Sequence, residues 1–219
     1  FVKVLGIPAD NIYTVHDEKA TLGEMRKIFD AGGWLKSNVK DKNAELYIFY
    51  AGHGAPATDG SKAFLIPYDG DPNYPAQTGY ELETLYANLG ALPAKRVMVF
   101  LDACFSGADR DNEILLAGAR PPTLRVAQPA ADAKISVFSA SSGAQVSSAY
   151  PDRQHGLFSY FLMKGMRGEA DLNGDKKITI AEMEQFLQEN VPYIARRMGR
   201  EQDPQVNSAD KQSVLIQMK

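Results

Sequence analysis

The chain has 219 residues, 44% of them apolar and 23% charged, and carries a formal net charge of −3. That balance, with no run of lysines or arginines, provides no electrostatic footprint for a nucleic-acid backbone or an anionic membrane, so neither is expected as a primary partner. The longest apolar runs fall short of the roughly 18 to 20 residues that cross a bilayer, and a single cysteine, Cys104, excludes an internal disulfide.

The whole of 1–219 reads as one domain. Phe1 has no methionine and no signal peptide ahead of it, so a processed or excerpted piece is expected and the compartment is not legible. The first helix signal is TLGE at 21–24, a capping box that places Leu22, Met25, Ile28 and Phe29 on one side. ELYIFYAG at 45–52 is an unalternating apolar run, the habit of a strand buried on both faces. The segment 55–77 is rich in Pro, Gly and Asp and reads as a loop, with AFLIP inside it suited to a short edge hairpin. TGYE at 78–81 is a second capping box, opening a helix through Leu82, Leu85, Tyr86 and Leu89.

RVMVFLDA at 96–103 and KISVFSAS at 134–141 repeat the buried-strand pattern, and the long connection 105–133 between them has few periodic apolar positions. Loops of that length inside a compact domain are usually either functional or disordered. GLFSYFLMKGM at 156–166 and TIAEMEQFLQENVPYIARRM at 179–198 are helical, and SVLIQMK at 213–219 suits a fourth strand. Helices alternating with buried strands predict an α/β three-layer sandwich: a mostly parallel central sheet, flanking helices and right-handed crossovers.

His53 follows the end of the first buried strand and Cys104 the end of the second. If the two strands are parallel neighbours, both side chains emerge at one edge of the sheet, where ligands bind in open α/β folds. Glycines beside both, in AGHGA and CFSGA, let a backbone turn sharply and a substrate come close. A thiol facing an imidazole is the minimal equipment for nucleophilic acyl transfer, with the N–H groups of Gly54 and Cys104 directed at the developing oxyanion. Taken alone, a lone cysteine at a strand end is as readily a small buried apolar residue, and a histidine in a glycine loop a turn residue. His16 and His155 compete poorly for the role, the first preceding the first clear helix and the second starting one.

YIFYAGHG followed about 50 residues later by VMVFLDACFSG resembles the caspase-type cysteine peptidases, in particular bacterial caspase-like proteins and metacaspases. FSASSGAQVSSAY at 138–150 and HGLFSYFLMKGMRGEADLNGDKKIT at 155–179 are also similar to bacterial members, so the resemblance covers most of the chain. It implies a caspase-like fold and a peptidase acting on protein or peptide substrates, with Cys104 as nucleophile, His53 as general acid/base and no cofactor for the chemistry. It also implies a strand and helix before Phe1, retained as a separate chain after processing or lying outside the fragment.

In metacaspases the aspartate at the place of Asp102 lines the pocket that selects Arg or Lys before the scissile bond. A recessed carboxylate attracts guanidinium or ammonium, whereas the bland alternative is an aspartate capping nearby backbone N–H groups. Ser139 and Ser141 are candidate pocket-wall residues. The chain departs from the metacaspase pattern at Gly143, where those proteins often carry a second acidic residue. The 105–133 connection lies where the family places its intersubunit linker, and Arg110 and Arg125 are the expected self-cleavage sites. Arg120 precedes Pro121, a poor site for most peptidases.

DLNGDKKITIAE at 171–182 matches a calcium-binding EF-hand loop at Asp171, Asn173, Asp175, Ile178 and Glu182, with Thr179 at the ninth place. Lys176 stands where that loop has glycine, and TIAE is itself a capping box, which favours a turn and helix cap instead. Calcium dependence in metacaspases rests on a different acidic site, to which Asp111 and Asp59 are the candidates here. The rival function is a catalytically silent caspase-like module that binds partners or senses calcium.

Overall fold

The computed structural model describes residues 2–218 apart from 58, 106–131, 143, 144 and 146. A single turn, α1 (Val2–Leu5), precedes α2 (Leu22–Phe29), α3 (Trp34–Asn38), β1 (Glu45–Ala51), β2 (His53–Pro56) and β3 (Ala63–Ile66). The turn α4 (Pro75–Thr78) leads through β4 (Tyr80–Glu81) to α5 (Leu82–Gly90) and β5 (Arg96–Asp102). Past residue 131 come β6 (Ile135–Ser139), the small hairpin of β7 (Ala149–Tyr150) and β8 (His155–Gly156), and α6 (Leu157–Lys164). The chain continues through β9 (Lys177–Thr179), α7 (Ile180–Arg197), β10 (Gln205–Asn207) and β11 (Val214–Gln217).

The central sheet has the order β1-β5-β6-β10, with β1, β5 and β6 parallel and β10 antiparallel to β6. Because successive side chains on a strand point to opposite faces, β5 feeds two cores. Val97, Val99 and Leu101 pack with Met25, Ile28, Leu35, Leu85 and Leu89 of α2, α3 and α5. Met98 and Phe100 pack with Phe138, Phe158, Phe161, Met183 and Leu187, from β6, α6 and α7. The result is a mixed α/β sandwich with a mostly parallel sheet between two helical layers, as the pattern of buried runs and amphipathic helices predicts.

Four details depart from the sequence expectation. Among the described residues β1 pairs with β5 alone and lies at the edge of the sheet, and its run is not fully buried, Phe49 being 44% exposed. The segment 213–219 does form a strand, β11, but it pairs with β9 in a separate two-stranded sheet. The fourth strand of the central sheet is instead β10, three residues with one apolar side chain, drawn into place by pairing with Val137–Ser139. Thr78 does not cap α5: its hydroxyl accepts from the Asp71 N–H at 2.9 Å. Tyr80 and Glu81 are pulled into extended pairing with Leu65 and Phe64, which delays the helix to Leu82.

Of the other two caps, the one at α7 is a complete box and the one at α2 is half of one, its Glu24 carboxylate accepting from Tyr13 and Lys27. Thr21 accepts from the Glu24 N–H at 3.2 Å to start α2. Thr179 and Glu182 form a complete reciprocal box, with Glu182 N–H to the threonine hydroxyl at 3.1 Å and Thr179 N–H to the carboxylate at 2.9 Å. α7 carries Met183, Phe186, Leu187 and Val191 into the core, so its start is coupled to global stability. Thr179→Ala is expected to cost about 1 kcal/mol, read as a lower urea midpoint with an unchanged slope. Among the described residues no helix is long and apolar enough to cross a membrane.

Candidate active site

The parallel register between β1 and β5 pairs Ala51 with Asp102. His53 and Cys104 therefore each lie two residues beyond a paired position, at the same edge of the sheet. The chain turns sharply after β1 at Gly52, whose N–H donates to the Asp102 carbonyl at 3.2 Å. A Cβ at Gly52 would lie 2.7 Å from the Tyr50 hydroxyl, which is folded back under the turn. That hydroxyl reaches the carbonyls of His53 at 2.7 Å and Ile66 at 2.8 Å, anchoring the start of the β2–β3 hairpin on which His53 sits exposed.

Gly54 presses its backbone directly on the cysteine segment. A Cβ there would stand 2.5 Å from the Cys104 carbonyl oxygen and 2.6 Å from the Phe105 ring, so only glycine fits. Gly54→Ala is expected to cost about 1–3 kcal/mol by overpacking, read in urea denaturation. A loss below about 0.5 kcal/mol, the scale of a neutral surface change, would mean that the two backbones are further apart than this.

Cys104 itself is 4% exposed. Its sulfur receives the Ser147 N–H and lies 3.7 Å from the Ser147 carbonyl, which the thiol faces as donor. Asp102 lies on the same side of the strand, and its carboxylate is 0% exposed. Oδ1 accepts the Ser147 hydroxyl at 2.5 Å, and Oδ2 accepts the Ser159 hydroxyl and, at 3.3 Å, the Ser159 N–H at the first turn of α6. Gly156 makes room for it, since a Cβ there would overlap Oδ2 at 2.1 Å. Sulfur and carboxylate are thus joined through one residue, Ser147.

The stretch after β6 is pinned from the segment that precedes β10. Gln202, 1% exposed, accepts the Ser148 N–H at 2.8 Å and donates to the Ala140 carbonyl at 3.0 Å. Gln145 accepts the Asp203 N–H at 2.8 Å, and its own carbonyl accepts the Ser141 hydroxyl at 3.0 Å. Ser139, at 6% exposure, turns toward the Gln205 carbonyl at 3.5 Å, and Ser141, at 3%, is buried with its hydroxyl used on Gln145. Both serines support the neighbourhood of the site and neither presents open surface.

Ser147, Ser159 and Gln202 carry no weight in the sequence reading. The serine-rich stretch at 138–150 is visible there, but nothing local ranks Ser147 above Ser148 or Ser142. Arg110, Asp111, Arg120, Arg125 and Gly143 lie outside the described residues.

The 171–182 loop lies apart from the site in sequence and is organised around its own backbone. Asp171 accepts the N–H groups of Gly174, Asp175 and Lys176 at 2.9, 3.2 and 3.1 Å. Asn173 accepts the Asp175 N–H at 2.8 Å, and Asp175 accepts that of Lys177 at 2.8 Å. Lys176 adopts the left-handed conformation, φ 65°, at the place where a calcium loop has glycine. Glu182 spends one oxygen on the Thr179 cap. No group of three or more His, Cys, Asp or Glu converges as a metal site among the described residues. Asp59 is held by its neighbour: the Ser61 hydroxyl and N–H, at 2.6 and 2.9 Å, lower its carboxyl below the ordinary aspartate value.

The family model of the peptidase C14 caspase domain matches residues 5–215. Among solved structures, the crystal structure of caspase-1 from Spodoptera frugiperda aligns with a TM-score of 0.47 at 17% identity, covering 80% of this chain and 63% of that one. The chain thus spans less than two thirds of that protein's length. No curated protein matches.

Proposed function

Because the chain belongs to the caspase-domain family of cysteine peptidases, we propose that it is a cysteine endopeptidase in which Cys104 and His53 form the catalytic dyad. The observation that carries this reading is the matched strand ends: Ala51 pairs with Asp102, and Gly54 packs on the Cys104 carbonyl. Two residues from well-separated parts of the chain are brought to one edge of the sheet with a glycine at the contact, which costs conformational entropy and is unnecessary for an inert thiol.

In this reading His53 takes the proton of the Cys104 thiol as the sulfur attacks the scissile carbonyl carbon, forming an S–C bond while the C=O π pair moves onto the oxygen as negative charge. The N–H groups of Gly54 and Cys104 donate to that oxyanion. Collapse of the tetrahedral intermediate breaks the C–N bond, and His53 delivers a proton to the leaving amine. A water molecule, deprotonated by His53, then hydrolyses the thioester and restores the thiol. Asp102 attracts the side chain of an Arg or Lys before the scissile bond. Its carboxylate is sealed by Ser147 and Ser159 as it stands, so the Ser147 hydroxyl yields its place when a basic side chain enters. The same specificity would direct self-cleavage to Arg110 or Arg125.

The test is hydrolysis of fluorogenic peptides ending in Arg, Lys, Asp, Asn and Ala, with and without Ca²⁺. Turnover of the Arg and Lys peptides supports the reading, and cleavage after Asp alone overturns the role of Asp102. No turnover of any peptide supports the silent module instead. Mass spectrometry of the stored protein checks self-processing: fragments ending at Arg110 or Arg125 are expected.

A further inference from the structure

We propose that Gln202 is a positioning residue for the nucleophile, holding the Ser147 N–H against the Cys104 sulfur. The inference rests on the reading of Cys104 as the nucleophile.

Ser147 is the only residue among the described ones seen to touch both the sulfur and the Asp102 carboxylate through hydrogen bonds: N–H to sulfur, hydroxyl to Oδ1. It belongs to neither a helix nor a strand. Its position therefore depends on what is attached next to it. On its C-terminal side the Ser148 N–H is satisfied by Gln202 Oε1 at 2.8 Å, and the Ser148 carbonyl accepts the Leu157 N–H at 2.9 Å. Gln202 Nε2 in turn donates to the Ala140 carbonyl at 3.0 Å, at the C-terminal end of β6. One buried amide thus bridges the rigid strand end to the residue beside Ser147, using one donor and one acceptor at fixed separation.

Burial makes this bridge matter. Gln202 is 1% exposed and Ser148 is 0% exposed, so no water replaces either bond without rearrangement. An N–H directed at sulfur favours the thiolate, because hydrogen bonding to the charged form lowers the free energy of that form. Loosening the bridge releases the donor and makes the thiolate harder to form. Among the described residues, Asp102 is tied to the same Ser147, and His53 lies on β2 beside the Gly54 that packs on the Cys104 carbonyl. Neither is a hydrogen-bond partner of Gln202, whose bonds go to Ser148 and Ala140. A change at Gln202 therefore reaches the sulfur through backbone position.

The experiment is the pH dependence of Cys104 alkylation by iodoacetamide, which requires no peptidase activity. Gln202→Met keeps the side-chain length and removes both hydrogen bonds; Gln202→Asn keeps the amide and shortens the reach. Each is expected to move the midpoint of the alkylation profile upward by roughly one pH unit. The plateau rate reports access to the sulfur and is free to rise. Leu187→Ala in the α7 core serves as a control for general destabilisation and is expected to leave the midpoint in place. Profiles are taken on folded material from gel filtration. Midpoints of both Gln202 variants coinciding with the wild type, or moving equally in Leu187→Ala, would overturn the proposal. A shifted midpoint in a protein that cleaves no peptide would sustain the positioning role while refuting the peptidase reading.

Discussion

Cys104→Ala and His53→Ala are each expected to reduce peptide hydrolysis by on the order of 10⁶-fold in kcat, and the double variant is expected to be no worse than either alone. Residues that act as a unit do not contribute additively: in the proposed mechanism no acyl-enzyme forms without the sulfur, and the leaving amine has no proton donor without the imidazole. Single-turnover and steady-state assays on the Arg peptide, with each variant's folding checked by circular dichroism, measure this directly. The geometry makes the pair testable against its rivals. His53 is exposed at the start of β2, with Gly54 next to it packed on the cysteine segment. His155 lies in β8, beside the Gly156 that approaches the Asp102 carboxylate. Activity that survived in His53→Ala and vanished in His155→Ala would transfer the proton-handling role to the second histidine.

Asp102→Asn is the second large effect. For substrates with Arg or Lys before the scissile bond, kcat/KM is expected to fall about 10²–10³-fold, the scale of removing one partner of a buried, hydrogen-bonded charge pair. Peptides ending in Ala or Asn are expected to change by less than about threefold, because they place no cation there. The substitution also perturbs the resting structure: one carboxylate oxygen becomes an amide donor, and with the remaining carbonyl kept on the Ser159 N–H the amide faces the Ser147 hydroxyl, which must turn from donor to acceptor. That buried mismatch is expected to cost about 1–3 kcal/mol of stability, so the comparison between substrates at one temperature is the decisive readout. Equal loss on every peptide would make Asp102 a clamp for Ser147 and Ser159, with no part in choosing the substrate.

The two predictions concern a site whose two halves were legible to different degrees. His53 and Cys104 follow two apolar runs, with glycine on either side of the histidine and three residues beyond the cysteine; that local pattern leaves each as readily structural, and the resemblance of the two motifs to the caspase-type peptidases is what singles them out. Asp102 is also visible, since two positions before Cys104 on a strand means the same face. What surrounds it was not: Ser147 and Ser159 belong to segments 45 and 57 positions away, and Gln202 bonds Ser148 across 54. Polar residues that act through one hydrogen bond leave no periodicity, so nothing in the chain's local pattern distinguishes them from surface serines and glutamines.

The same contrast runs through the fold. The amino-acid sequence alone determined the α/β class, the buried character of β5 and β6, and the starts of α2 and α7. Those follow from side-chain period and from capping residues within a few positions of each other. Only the tertiary structure decided that β1 is an edge strand, that β10 joins the central sheet while β11 leaves it, and that Thr78 serves a loop instead of a helix. Each of those depends on which partner supplies hydrogen bonds to a backbone. For the short strands the competing pairings differ by too little side-chain burial for local composition to choose between them. The proposed catalytic edge joins both: the sequence marked His53 and Cys104, and the fold set the Ser147 N–H against the Cys104 sulfur with Gln202 bonded to the neighbouring Ser148.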